Sequence, residues 1–461
     1  MLKAKLLILI LTGSLTGLCA QNQEMIKKKP NVIIFYIDDM GYADIGCFGN
    51  QDVSTPNIDL LATQGMVCTQ YYSNSPICSP SRVALLTGQY PQRHRIHSFL
   101  AERKRNAARG MKDFLDPEAQ TLAKALKYNG YRTAHYGKWH MGGGRDVDDA
   151  PTPDAYGYDE SWVDLFEGMG PGMHHRDMPR PYNTDVLVNR AMDFMARSKR
   201  DGQPFFINIS PNDVHDPHDP KEEYFLKFTE YQKGPYNFDQ RLYAVISNLD
   251  DQVGRVIRFL EDAGLRGNTI IIFTSDNGPT DWAKYYEPGI DQPPGSVGPL
   301  RGRKWSLYEG GIRMPFIISY PDVIPRNTRY ESAVCAIDLL PSLINLTSSE
   351  MPEGYVLDGK DKSSVFRTKK GGGGDPIYWE YGSLDAEFLR PGTEYSCSPD
   401  LAMLQGKWKL LMNYDGSDVE LYDLNNDISE TTNLAEKEKA VTARMMKSLK
   451  EWRETIFDKK D

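Results

Sequence analysis

Val32-Ile33-Ile34-Phe35-Tyr36-Ile37, followed at once by Asp38-Asp39, is the stretch on which the reading of the fold turns. Every residue of the apolar run is β-branched or aromatic, and the run is too short for a core helix. It reads as a strand buried on both faces. Two adjacent carboxylates just beyond a strand end suit a hard divalent cation, although the dipeptide taken alone is more often a solvated turn or a helix cap.

Working outward, apolar β-branched runs alternate with amphipathic helical patterns from about Asn31 to Asn345, which predicts βαβ units and a mainly parallel sheet. Thr55-Pro56 opens a helix that Gly65 closes, and Thr121 to Asn129 predicts a helix ended by Gly130. Tyr131 to Tyr136, Phe205 to Ile209 and Thr269 to Phe273 read as strands. The helix around Tyr243 to Ala263 carries Val245, Leu249, Val253, Val256 and Leu260 on one face. From about Ser348 the texture changes, and the Gly371–Gly374 run reads as a loop or linker. Pro376 to Tyr381, Trp408 to Asn413 and Val419 to Leu424 look like strands, and a charged helix ends near Ile456. The expected fold is therefore α/β, with a large N-terminal domain over residues 26–347. A smaller C-terminal α+β subdomain with an antiparallel sheet follows over residues 348–461.

The 461 residues carry a net charge of −9, with 40% hydrophobic and 25% charged residues. That balance argues against non-specific binding to nucleic acid or anionic lipid, and any anionic ligand would need locally concentrated cations. Residues 1–20 read as an export signal: Lys3 and Lys5 precede the apolar core Leu6 to Leu11, and small residues reach Ala20. Cys19 raises a lipoprotein alternative, but Leu18 is bulky where a lipobox wants a small residue. No other segment looks transmembrane. Cys47, Cys68, Cys78, Cys335 and Cys397 remain after cleavage, an odd count that flags one thiol with its own chemistry.

Four polar clusters fall where open α/β sheets gather function, beyond the carboxyl ends of strands. Besides Asp38-Asp39 they are Asp276-Asn277-Gly278, Gly137-Lys138-Trp139-His140, and His215 with His218. The first two clusters together offer three carboxylates and an amide oxygen, a set that Ca²⁺ or Mg²⁺ prefers, and no Cys/His spacing suggests zinc. Ser75-Pro76-Ile77-Cys78-Ser79-Pro80-Ser81-Arg82 reads as a loop entering a helix. Its cysteine could be a low-pKa nucleophile at a helix N-terminus or a buried structural thiol.

Cys78-x-Pro80-Ser81-Arg82, followed by Leu85-Leu86-Thr87-Gly88, resembles the signature of the formylglycine-dependent sulfatases, type I and of the cysteine type. Gly130-Tyr131-Arg132-Thr133 with Gly137-Lys138-Trp139-His140 resembles that family's second signature. Arg301-Gly302-Arg303-Lys304 leading to Tyr308-Glu309-Gly310-Gly311 also matches, as does Glu420 to Leu424 with Glu430 and Asn433-Leu434. The resemblance runs from about Asn31 to Leu434.

It implies an alkaline-phosphatase-like fold and a sulfuric ester hydrolase that acts on a sulfated carbohydrate. Cys78 would be oxidised to formylglycine by a formylglycine-generating enzyme. The hydrated aldehyde carries two hydroxyls, one to attack sulfur and one to expel sulfate afterwards. One Ca²⁺ ion, with Mg²⁺ as the alternative, would be held by Asp38, Asp39, Asp276, Asn277 and residue 78. Lys138 and Lys304 would bind sulfate, and Arg82 would support the hydrated aldehyde. His140 would transfer a proton at the diol, and His215 would protonate the leaving group, with His218 as its fallback. His97, His174, His175 and Arg303 are candidate substrate-binding residues, with Trp379 or Glu380 as further rim candidates. The expected substrate is a terminal sulfated galactose or N-acetylhexosamine unit attacked in exo fashion, and the expected compartment is the periplasm. Two rivals are a phosphomonoester or phosphodiester hydrolase on the same fold and a non-catalytic sulfoglycan-binding protein. The latter predicts a missing nucleophile or ligand.

Overall fold

The structure is a computed structural model that describes residues 28–143, 147–163, 180–231, 237–287, 293–382 and 388–457. The stretch read as an export signal lies outside these residues. An eight-stranded sheet is formed by β1 (Asn31–Ile37), β2 (Met66–Cys68), β3 (Arg132–Gly137), β4 (Glu160–Trp162), β5 (Phe205–Ser210), β6 (Thr269–Ser275), β7 (Phe316–Ser319) and β8 (Thr328–Tyr330). Its spatial order is β8-β2-β7-β6-β1-β5-β3-β4. Only β7 runs against its neighbours, so the sheet is mainly parallel.

The continuous apolar run of β1 now has its physical reason, since all seven of its residues are buried and helices cover both faces. Val32, Ile34 and Tyr36 point into a core shared with Leu122, Leu126 and Leu340. Ile33, Phe35 and Ile37 point into the opposite core, with Leu187, Val245 and Leu249. The period of two along the strand thus divides its side chains between two helical layers.

The predicted elements differ from the observed ones mainly at their ends. The helix expected from Tyr243 begins earlier and spans Phe238–Asp262, and β6 extends to Ser275, which places Asp276 immediately after its last residue. Thr121 caps its helix by accepting from the Lys124 N–H at 3.1 Å. The Thr55 hydroxyl makes no such cap; it accepts from the Gly46 N–H instead.

The C-terminal sheet is antiparallel and four-stranded, built from β9 (Ile377–Glu380), β10 (Leu401–Gln405), β11 (Trp408–Met412) and β12 (Glu420–Asp423) in that order. The central strand β10 is absent from the sequence reading, although Ser398-Pro399-Asp400 and Gly406 bound it. This sheet packs with the helix Lys439–Phe457 and with Tyr72, Ile77, Cys78 and Trp305 in a third core that draws on both sides of residue 348. A second tie is ionic. Lys409 in β11 lies 2.8 Å from both Glu309 and Glu430, and all three side chains are fully buried. Arg313 completes the group at 3.2 Å from Glu309, so two carboxylates face two cations.

Trp379 and Glu380, considered as rim residues from sequence, sit inside this arrangement. The Trp379 indole is fully buried and donates Nε1–H to the Ser73 carbonyl at 2.7 Å. Glu380 is buried and accepts from Tyr414 at 2.8 Å. Neither reaches open surface because β9 lies against the loop that leads to Cys78. Trp379→Ala is expected to destabilise the fold by about 3–5 kcal/mol, read as a shift in the denaturant midpoint, whereas a rim role predicts a changed KM with unchanged stability.

Candidate active site

The four central parallel strands end on one edge of the sheet, and each delivers polar groups there. β1 leads to Asp38 and Asp39, β3 to Lys138 and His140, β5 to His215, and β6 to Asp276 and Asn277. The turn after β3 depends on Gly137, whose φ is 111°. A Cβ there would stand 1.9 Å from the Ser210 carbonyl oxygen, and that close approach lets the Lys138 N–H donate to the same oxygen at 2.7 Å.

Cys78 begins the helix Cys78–Thr87, all ten residues of which are buried. The preceding loop is fixed by serine hydroxyls: Ser73 and Ser81 both donate to the Ser75 carbonyl, at 2.9 and 2.8 Å. The helix ends at Gly88 in the left-handed region, with φ at 67°. The loop carrying Lys304 joins two others, because the Lys304 and Trp305 N–H groups donate to the Pro279 and Pro76 carbonyls, each at 3.0 Å.

These elements converge on a compact cluster. The Cys78 Sγ lies 3.7 Å from Asp38, 3.9 Å from Asp39 and 3.5 Å from the Lys304 Nζ. Lys138 donates to both oxygens of Asp38 at 2.9 Å. Lys304 donates to both oxygens of Asp39 at 2.7 Å. Arg82 bonds to Asp276 at 2.7 Å and to the Lys138 carbonyl at 3.0 Å. Asp39, His140 and Trp305 all have positive φ, at 59°, 51° and 70°. Such backbone costs on the order of 1–3 kcal/mol per residue and persists only where its surroundings over-determine it.

Burial governs the protonation of this cluster. It pushes the Cys78 thiol well above its usual range, outweighing the nearby Lys138 and Lys304. The unmodified thiol therefore stays protonated and is a poor nucleophile. Burial pulls Lys304 down, but the carboxylates, Asp39 above all, outweigh it and hold the ammonium charged. Burial likewise pushes Asp276 up to about 6, against the pull of Arg82.

The donor set fits one hard divalent cation. Ligand atoms of Asp38, Asp39 and Cys78 lie within 4.8 Å of one another, and all three residues are buried. Asp276 accepts from the Asp39 N–H at 3.2 Å. The Asn277 amide uses its N–H groups on Asp39 and the Gly278 carbonyl, at 2.7 and 2.9 Å. That leaves the Asn277 Oδ1 buried with no hydrogen-bond partner. A buried acceptor without a donor, beside three carboxylates, is what an oxygen-preferring ion such as Ca²⁺ or Mg²⁺ would satisfy.

A family model described as Sulfatase matches residues 30–349. The chain belongs to the sulfatase family. It is a sulfuric ester hydrolase, and a second family model, described as N-sulphoglucosamine sulphohydrolase, C-terminal, matches residues 303–455. It is 28% identical to an N-acetylgalactosamine-6-O-sulfatase of Bacteroides thetaiotaomicron, covering 92% of this chain and 93% of that protein. Arylsulfatase A of Homo sapiens is also 28% identical, over 92% of this chain and 87% of the human protein. The crystal structure of Ps i-CgsB in complex with k-i-k-neocarrahexaose superposes with a TM-score of 0.78 at 27% identity, covering 94% of each chain.

The sulfatase opens to solvent through a cavity of about 440 Å³ lined by Cys78, His140, His215 and Lys304, among others. His215 donates Nδ1–H to the Asp216 carbonyl and turns Nε2 toward Asp39 at 3.5 Å. His218 does not line this cavity. It is buried against the Val214 carbonyl at 2.8 Å, and burial lowers its pKa to about 4.

Two expected substrate-binding residues are placed elsewhere. The His97 ring bonds to the Arg109 carbonyl at 2.9 Å and stacks on Phe388. The half-buried Arg303 guanidinium donates to the carbonyls of Thr280, Pro294 and Gly295. It thereby fixes the loop before Lys304 rather than facing the cavity. His174 and His175 lie outside the described residues.

The walls are instead Phe99, Arg105, Asp216, Trp282, Lys284 and Trp305, none of which sequence reasoning singled out. Of these, only Asp216 carried a usable signal, by adjacency to His215. Burial tends to raise its pKa, but His215, the Tyr285 hydroxyl and Lys284 outweigh it and bring the carboxyl to about 2. A depressed carboxylate stabilises the fold above its unfolded pKa and loses that contribution as pH falls toward 2. Asp216→Asn is therefore expected to cost roughly 2 kcal/mol at pH 7, with the difference in urea midpoint shrinking between pH 4 and pH 2.

Proposed function

We propose that this sulfatase removes sulfate esters from a glycan, using formylglycine at position 78 and one divalent cation, Ca²⁺ or Mg²⁺. The observation that carries the reading is the pair of buried ammonium groups, Lys138 and Lys304, set against Asp38 and Asp39 around Cys78. An acidic protein has here concentrated its cations where a sulfuryl group must be neutralised.

The Cys78 Sγ marks the position that the formylglycine oxygens would take. Converted and hydrated, residue 78 supplies two hydroxyls, one to attack sulfur and one whose deprotonation expels sulfate. Asp38, Asp39, Asp276 and Asn277, with residue 78, would hold the cation, which when bound supplies charge stabilisation at the sulfuryl oxygens. Lys304, 3.5 Å from the Cys78 sulfur, and Lys138 hold those oxygens from the protein side. Arg82 neutralises Asp276 and anchors the Lys138 carbonyl, keeping the ammonium in register. His215 protonates the departing alkoxide from Nε2, since Nδ1–H is committed to the Asp216 carbonyl. His140, in the same cavity wall, moves the proton of the second hydroxyl.

The glycan is a terminal sulfated galactose or N-acetylhexosamine, cleaved in exo fashion. The names of the Bacteroides relative and of the Sus scrofa N-acetylgalactosamine-6-sulfatase, 30% identical over 77% of this chain and 68% of that protein, support the sugar class. Trp282 and Trp305, packed edge to face at 4.7 Å, offer apolar surface for a sugar ring. The protein is exported to the periplasm after removal of residues 1–20, and a formylglycine-generating enzyme converts Cys78. Among the described residues no helix is long and apolar enough to cross a membrane.

Peptide mass spectrometry across Cys78, paired with assays on matched sulfate and phosphate esters, tests the reading. Converted protein should prefer sulfate. Cys78→Ala should be inactive though folded, and Lys138→Ala and Lys304→Ala should each lose about 10²–10³ in kcat/KM. A preference for phosphate, or full activity in Cys78→Ala, would overturn it. Chelation supplies a second test. In the metal-free protein Asp276 is pushed up to about 6 from an ordinary 3.8, so its contribution is full below the unfolded value and lost as pH rises through about 6. Chelator should therefore lower Tm more at pH 8 than at pH 5.

A further inference from the structure

The cavity contains a guanidinium that the hydrolysis itself does not use. Arg105 lines it together with Cys78, His140 and Lys304, half-buried, with its guanidinium carbon 4.9 Å from the centroid of the Phe99 ring. Among the described residues Arg105 has no carboxylate partner, unlike Arg103 on the same short helix, which pairs with Asp113 at 2.8 Å. Lys284, the other wall cation, is already answered by Asp216 at 3.4 Å.

The platform beneath Arg105 is braced. The Arg109 guanidinium lies 4.3 Å from the same Phe99 ring and donates to the Phe99 carbonyl at 3.1 Å. The Arg109 carbonyl is in turn held by His97 at 2.9 Å. A stacked guanidinium loses less freedom when it forms further hydrogen bonds, and its planar fork matches carboxylate and sulfate oxygens. A cation that faces a ligand cavity without a protein counter-ion is balanced most directly by a charge on the ligand.

We propose that Arg105 determines specificity by binding a second anionic group of the substrate, a sulfate ester or a uronate carboxylate on the same or the adjoining sugar. The protein then prefers glycans carrying two anionic groups over those carrying one. The inference rests on the glycan sulfatase reading and adds the charge class of the leaving group.

The test uses full-length, Cys78-converted protein and three oligosaccharides that share one terminal sulfated sugar. One carries no further charge, one a second sulfate and one a neighbouring uronate; a simple aryl sulfate reports the chemistry alone. Wild type should favour at least one doubly charged substrate, and which one identifies the anion. Arg105→Gln should raise KM for that substrate about tenfold, with kcat little changed and with aryl sulfate and singly charged substrate unaffected. Arg105→Lys should recover part of the loss, and added salt should shrink the wild-type preference. Equal losses on all substrates, or no preference in wild type, would overturn the proposal. Absence of activity on every sulfate ester, aryl sulfate included, would instead overturn the sulfatase reading beneath it.

Discussion

Asp38, Asp39 and Asp276 are almost without solvent exposure, and so are Arg82, Lys138 and Lys304. Removing any one of these charges from water costs several kcal/mol, which only a close and well-hydrogen-bonded partner offsets. The six groups come from five separate segments of the chain, so the balance exists only when the β1, β3 and β6 strand ends, the Cys78 helix and the Lys304 loop are all in place. The sheet supplies that alignment by ending its central parallel strands on one edge. The left-handed backbone at Asp39, His140 and Trp305 follows from the same requirement: local conformational preference yields to where the charges must stand.

What the chain reveals before folding, and what it conceals, follows the range of the interactions. β1 was readable because a strand buried on both faces needs an unbroken apolar run. The polar clusters beyond β1, β3, β5 and β6 stood out because each adjoins such a run. The edge strands Thr328–Tyr330 and Glu160–Trp162 are three residues long, too short for their own signal. β10 was missed because its five residues are almost all buried and lack the alternation that marks a half-buried strand. Arg303 and His97 drew notice in the sequence because a charged or ionisable residue near a motif reads as functional. Only the fold shows that backbone carbonyls, at Thr280, Pro294 and Gly295 or at Arg109, engage those side chains. Phe99, Arg105, Trp282 and Trp305 escaped notice for the opposite reason, since they meet across the cavity without sharing a pattern in sequence.

The C-terminal sheet has its own place in the chemistry although it lends no group to the cluster around Cys78. Trp379 holds the Ser73 carbonyl, and Ser73 with Ser81 fixes the loop that aims Cys78. The apolar core behind Cys78 is built in part from β9 to β12, so the dryness that strengthens the Lys–Asp pairs depends on residues hundreds of positions downstream.

Lys409, Glu309 and Glu430 carry this dependence into the history of the chain. Glu309 comes from the first part of the chain, Lys409 and Glu430 from the last, and none of the three touches water. A recombination event joining the N-terminal part of one such protein to the C-terminal part of another would inherit Glu309 and Arg313 from one parent, and Lys409 and Glu430 from the other. Unless both parents kept the same charges at these places, the hybrid would be left with an unanswered carboxylate in its interior, at a cost of about 3–5 kcal/mol. The two parts are therefore constrained to descend together, and the second is no freely exchangeable module.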